Sequence, residues 1–170
     1  ESEQFKGSTF IIFLPAIDSE IDEEQIVHQD THSGKGIFII MDDDLDVREN
    51  LATILEYSGY SVVMTKKGEE AIKYFDEKHN SDEKIAGMIF DLTIAGGLGG
   101  KDTVKVIRDM DEKIPIFVAS GYAEDPVIAH PEMHGFTASL VKPYKISDLN
   151  KLLNKFCWLF LLAWLEFFDQ

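Results

Sequence analysis

The chain has 170 residues, 45% of them apolar, which is enough for one well-buried core with extensions and argues against global disorder. A formal net charge of −15 argues against binding to a phosphate backbone. The single cysteine, Cys157, excludes an intramolecular disulfide and fits a reducing, cytoplasmic setting. No basic stretch followed by an apolar one opens the chain, so no signal peptide is expected, and a start at Glu1-Ser2-Glu3 without methionine reads as part of a longer protein.

Residues 1–16 contain a β-like apolar run, Thr9 to Leu14, closed by Pro15. Residues 17–35 are acidic and polar (Asp18, Glu20, Asp22, Glu23, Glu24, Asp30) and read as a solvated linker. From Gly36 onward, apolar runs of strand length alternate with helical periodicity. Ile37 to Met41 is continuously apolar, as a strand buried on both faces is. Val47, Leu51, Ile54 and Leu55 then follow helical spacing, and Gly59 closes that helix. Tyr60–Thr65 reads as a second strand and Glu69–Lys78 as a helix with Ala71, Ile72 and Phe75 inward. Gly87–Phe90 is a third strand, followed by a loop with four glycines between Gly96 and Gly100 and a helix through Val104 and Ile107. Pro115–Ala119 is a fourth strand, Asp125–His134 a short weak helix, and Ser139–Val141 a fifth strand. The last helix carries Ile146, Leu149, Leu152, Leu153 and Phe156. Five β–α units with short connections imply an α/β fold: a parallel sheet with helices on both faces.

In such sheets functional groups gather at the carboxyl ends of the strands. The first strand ends in Asp42-Asp43-Asp44, the third in Asp91, the fourth in Ser120 and the fifth in Lys142-Pro143. Taken singly, an acidic triplet is a solvated loop, a lone Asp a cap, and Ser-Gly a turn. Their joint placement on one edge is what points to chemistry. Clustered carboxylates repel and call for a cation, and an all-oxygen set with few protein donors suits Mg²⁺. A carboxylate beside that ion can attack phosphorus and form an acyl phosphate, with Lys142 and the Ser120 hydroxyl neutralising charge.

Asp42-Asp43 after an apolar strand, Asp91-Leu92-Thr93, Ser120-Gly121 and Lys142-Pro143-Tyr144 resemble the receiver domains of two-component response regulators over residues 36–156. The resemblance implies a flavodoxin-like (βα)₅ fold, a doubly wound five-stranded parallel sheet, that accepts phosphate from a phosphohistidine of a histidine kinase or phosphotransfer domain. By position it makes Asp91 the phosphoacceptor and assigns Mg²⁺ to Asp43, Asp91 and the Thr93 carbonyl, with Asp42 acting through metal-bound water. Ser120 then contacts the phosphoryl group, Lys142 pairs with its charge, and Pro143 follows a cis peptide bond. Two positions depart from the family pattern. Ser139 stands where the family has a switching Tyr or Phe, and Ala95 stands in place of a proline, which implies a more mobile loop from Ile94 to Gly100. Thr93 and Tyr122 flank the path of water toward Asp91, and the Tyr122 ring is expected to shield it.

Lys6 to Pro15 resembles the last strand of a histidine kinase ATP-binding domain, so the order strand, linker, receiver matches that of a hybrid sensor histidine kinase. Residues 157–170 form an apolar tail too short to span a bilayer, which takes about 20 residues. Leu149, Leu153, Phe156, Phe160, Ala163 and Phe167 follow four-three spacing, so a homodimer seam, membrane contact and a non-native tail all remain open readings. Rival functions are a stand-alone response regulator, a pseudo-receiver acting by protein contact, and a haloacid-dehalogenase-like phosphatase with Asp91 as nucleophile. The last wants an Asp two residues on, where this chain has Thr93.

Overall fold

Continuous apolar runs become the strands of a single parallel sheet because both of their faces are covered. The computed structural model describes residues 2–3, 6–13, 34–79, 81 and 83–157, and divides into two units, residues 1–30 and 31–170. In the first unit, β1 (Ser2–Glu3) pairs antiparallel with β2 (Gly7–Ser8). The strand expected from Thr9 does not form: residues 9–13 are irregular, and Phe10 and Phe13 are 88% and 90% exposed. A strand exists through its ladder, and among the described residues the ladder of this unit ends at Ser8. Leu14 and Pro15 lie outside the described residues.

The second unit runs β3 (Ile37–Met41), α1 (Leu45–Tyr57), β4 (Ser61–Thr65), α2 (Gly68–Lys78), β5 (Ile85–Asp91), α3 (Gly100–Met110), β6 (Ile116–Ser120), α4 (Pro126–Ala129), β7 (Ala138–Val141) and α5 (Ile146–Leu152). Its five strands are parallel in the order β4-β3-β5-β6-β7, the flavodoxin-like arrangement, whose topological switch falls between β3 and β5. Alternation along each strand sorts the core into two layers. Ile39, Met41, Met88, Phe90, Ile116 and Val118 face α2, α3 and α4 through Phe75, Val104, Ile107 and Val127. Phe38, Ile40, Ile89, Phe117 and Leu140 face α1 and α5 through Leu51, Leu55, Leu149 and Leu153.

Local chemistry sets the element ends. Asp44 caps α1, its Oδ1 accepting from the Asp46 N–H at 2.9 Å. Gly59, at φ 92°, ends the helix in a left-handed turn in which the Tyr60 N–H reaches the Leu55 carbonyl at 3.1 Å. The helix expected over 125–134 breaks in two, because Pro131 has no N–H to continue α4, and a 3₁₀ turn (Pro131–His134) follows. After Leu152 the last helix widens into a π-type turn, Leu153–Cys157. Leu149 and Leu153 are buried and the Phe156 ring lies 5.9 Å from Phe117, so these residues pack in the chain's own core rather than facing outward as a seam. Phe160, Ala163 and Phe167 lie outside the described residues, and no described helix is long and apolar enough to cross a membrane.

The chain enters this unit at the amino edge of the sheet. The Gly34 N–H donates to the Ser58 carbonyl at 2.8 Å, and a Cβ on Gly34 would stand 2.3 Å from the Tyr60 ring, which meets Phe38 edge-on at 4.9 Å. Near the same edge, Arg108 joins three segments. It donates to the carbonyls of Gly135 (2.7 Å), Ile114 (2.8 Å) and Asp111 (3.2 Å). Arg108→Met strands these acceptors and is expected to lower stability by about 2–3 kcal/mol in urea titrations. A loss under 0.5 kcal/mol (roughly the scale of a neutral surface change) counts against this bracing role.

Candidate functional site

The carboxyl ends of β3, β5, β6 and β7 bring the expected residues to one edge. Asp42, Asp43 and Asp91 place one carboxylate oxygen each within 4.8 Å of one another. Asp42 is buried, Asp91 half-buried and Asp43 exposed. Lys142, at the end of β7, reaches between them: its Nζ donates to Asp42 Oδ2 at 2.5 Å and to Asp91 Oδ1 at 2.7 Å. Asp91 Oδ2 accepts from the Thr93 N–H at 3.3 Å, and Asp42 Oδ1 from the Asp44 N–H at 3.0 Å. Ser120 ends β6 one residue beyond Ala119, the sheet partner of Asp91. Its buried Oγ accepts from the Tyr122 N–H at 3.2 Å and its carbonyl from the Lys142 N–H at 2.8 Å. The Lys142–Pro143 bond is cis, as the family resemblance implies.

The electrostatics follow from this crowding. Burial pushes the Asp91 carboxyl above its ordinary pKa, Lys142 pulls it back, and Asp42 adds to the rise. Burial pulls Lys142 down, but its hydrogen bonds to Asp42 and Asp91 outweigh that, and its pKa ends above normal. The neighbouring Tyr144 phenol is pushed up to about 12, by burial first, and stays protonated. Three carboxylates and one ammonium leave a formal charge of −3 + 1 = −2. Among the described residues, the Asp43 carboxylate is engaged only by the Ala95 N–H at 3.5 Å, beyond ordinary hydrogen-bond range. All-oxygen donors, a net negative charge and a loosely held carboxylate fit a hard divalent cation such as Mg²⁺.

Glycines after β5 allow the approach of α3. A Cβ on Gly100 would lie 2.7 Å from the Asp91 carbonyl oxygen and one on Gly99 would lie 2.9 Å from that of Leu92. The loop expected to be loose is tied at Leu98, whose N–H donates to both Glu69 carboxylate oxygens at 3.3 Å and whose carbonyl accepts from the Gly68 N–H at 3.0 Å. At the switching position, Ser139 Oγ donates to the Ile128 carbonyl at 2.8 Å, holding α4 to β7 by a hydroxyl where an aromatic ring would stand. Tyr122 is 76% exposed, so its ring lies against little of the domain. Arg48 was not expected at the site, yet it is buried and donates to the Asp42 main-chain carbonyl. The signal was available: Arg48 sits on the stripe of Leu51, Ala52 and Leu55, at helical spacing.

Fold and edge chemistry together are those of the receiver domains of two-component signalling. The chain belongs to the response regulator receiver domain family, whose model matches residues 38–154. Among curated relatives, it is 28% identical over 120 residues to the CAI-1 autoinducer sensor kinase/phosphatase of Vibrio cholerae, covering 69% of this chain and 16% of the relative. It is 24% identical over 158 residues to the sensor kinase CckA of Brucella abortus, covering 88% of this chain and 16% of that protein. The chain thus spans about one sixth of the length of these two kinases. Among solved structures, a receiver domain of a Pseudomonas aeruginosa sensor histidine kinase, with a magnesium ion coordinated in its active-site cleft, superposes with a TM-score of 0.62 at 18% identity, covering 72% of this chain and 98% of that one. A response regulator receiver domain protein from Clostridium thermocellum gives 0.67 at 22% identity, covering 75% and 98%.

Proposed function

We propose that this domain is a phosphoacceptor, with Asp91 taking a phosphoryl group from a phosphohistidine of a histidine kinase or phosphotransfer domain. An Asp91 carboxylate oxygen attacks phosphorus, the P–N bond breaks, and the imidazole leaves with the bond's electron pair and takes up a proton. The observation that carries this reading is the Lys142 ammonium held by both Asp42 and Asp91 at the edge where three carboxylates meet. Asp43, Asp91 and the Thr93 carbonyl are the proposed Mg²⁺ ligands, with Asp42 acting through bound water. When bound, the ion offsets the negative charge of carboxylates and phosphoryl oxygens. Lys142 orients Asp91 and supplies positive charge to the incoming group, while the Ser120 hydroxyl offers it a hydrogen bond. Incubation with acetyl phosphate and Mg²⁺ is expected to add the mass of one phosphoryl group, and none in excess EDTA. Equal labelling with and without Mg²⁺ rejects the metal-assisted reading.

We further read the chain as part of a hybrid histidine kinase, with the receiver on the cytoplasmic side. The sensor-kinase match over 88% of the chain supports this, since the receiver match of residues 38–154 is 117 of 170 residues, or 69%. The likeness of Lys6 to Pro15 to a kinase strand points the same way.

Mg²⁺ is expected to stabilise the fold. At a tenfold excess over its dissociation constant the gain is about 1.4 kcal/mol, visible as a rise of several degrees in melting temperature. In Asp43→Ala the gain disappears, because the loosely held carboxylate is lost. An unchanged wild-type melting curve at millimolar-scale Mg²⁺ removes support for the cation site.

A further inference from the structure

We propose that Arg48 is a positioning residue for the cation site, gripping the main chain of Asp42 so that the acidic loop presents its carboxylates in a fixed arrangement. The proposal rests on the assignment of Asp42, Asp43 and Asp91 as the residues that hold the cation.

Arg48 is 3% exposed on the inward stripe of α1. Arginine is almost never so buried without a partner that balances its charge. Here no carboxylate lies within ion-pair distance of it among the described residues, and its guanidinium Nη1 donates instead to the Asp42 carbonyl. Helical side chains tilt toward their own amino terminus, which carries Arg48 back toward the loop that α1 follows. Asp42 is then held on its backbone and its side chain: Arg48 on its carbonyl, the Thr65 carbonyl accepting its N–H at 3.2 Å, and the carboxylate by Lys142 and the Asp44 N–H. Arg48 and the Thr65 carbonyl hold the backbone, which leaves Lys142 free to act on charge. Asp43 is the next residue in the chain, and its carboxylate has almost no hydrogen-bonded support of its own. Its placement therefore depends on the backbone that Arg48 fixes.

Positioning and simple electrostatics predict opposite signs. A cationic side chain near a cation site weakens binding by repulsion, so removing it for charge reasons alone would tighten Mg²⁺. Loss of an outer group that orients ligands instead weakens metal binding, by about 10–100-fold in known sites. Calorimetric titration with Mg²⁺ alone decides between them. Arg48→Met is expected to weaken Mg²⁺ at least fivefold. Leu55→Ala, a cavity in the same helix that loosens the fold without touching the loop, should stay within twofold of wild type. The Asp44 amide, which donates to Asp42 Oδ1, gives a metal-free readout: its proton resonance should move in Arg48→Met and not in Leu55→Ala. Unchanged or tighter Mg²⁺ binding in Arg48→Met overturns the proposal, and so does equal weakening in both variants. If Arg48→Met does not fold, Arg48→Lys, which keeps the charge but shortens the reach to the carbonyl, should show at least a threefold loss, and wild-type affinity there overturns the idea equally. A wild type that takes up no Mg²⁺ sinks the cation reading itself, and this proposal with it; a wild type that binds while the variants fail the comparison sinks the positioning role alone.

Discussion

Asp91→Asn is expected to gain no phosphoryl mass under conditions in which the wild type gains one group, and to remain folded. The amide matches the carboxylate in shape but has no anionic oxygen to attack phosphorus, so the loss is complete rather than graded. Folding should survive because Lys142 keeps Asp42 as its partner, at 2.5 Å, when the Asp91 charge is gone. The exchange also relieves a carboxyl that burial already disfavours in its charged form. Stability within about 1 kcal/mol of wild type is therefore expected, since the buried ion pair is trimmed rather than orphaned. Intact mass after acetyl phosphate treatment, paired with a urea melt, tests both halves. Labelling of Asp91→Asn at the wild-type level would show that the acceptor is another residue.

Lys142→Met should have the largest effect on the metal-free fold. It removes the ammonium that bridges two carboxylates, one of them buried, with its side chain 4% exposed. Breaking a buried pair from one side leaves the remaining charge uncompensated and costs about 3–5 kcal/mol, more than the pair itself contributes. Mg²⁺ can take over part of that charge balance, so it should stabilise the variant by more than it stabilises the wild type. Phosphoryl uptake should fall by a factor on the order of 10²–10³, as when one preorganised donor is taken from a charge-stabilising site. Urea melts in EDTA and in Mg²⁺ check the first expectation, and the initial rate of labelling checks the second. Wild-type stability in EDTA would mean that Lys142 does not hold these carboxylates in solution.

The sheet was legible because each of its strands is an apolar run bounded by turn residues, and the site because its residues fall at the strand ends. The two core layers follow from alternation, as in Phe38 and Ile40 against Ile39 and Met41, whereas the strand order was implied only by the family resemblance. What stayed hidden depends on neighbours distant in sequence. The Thr9–Leu14 run has strand composition, yet composition cannot supply the adjacent strand a ladder needs. Asp44, the last of the acidic triplet, was given no role of its own and caps α1. Ala95 suggested a loose loop, but Glu69 anchors that loop at Leu98 from another helix, 29 residues away in sequence. Arg48 was passed over because the stripe of this helix was traced through its apolar residues alone, Val47, Leu51, Ile54 and Leu55.

The docking of Gly34 under the Tyr60 ring has a consequence for how a donor reaches this domain. It fixes the point of attachment at the pole opposite Asp91, with the five residues of β3, roughly 17 Å of strand, between the two. The acidic edge is therefore approached from the side away from the Gly34 attachment, and a protein that docks over Asp42, Asp43 and Asp91 does not have to displace the contacts that hold the chain's entry in place.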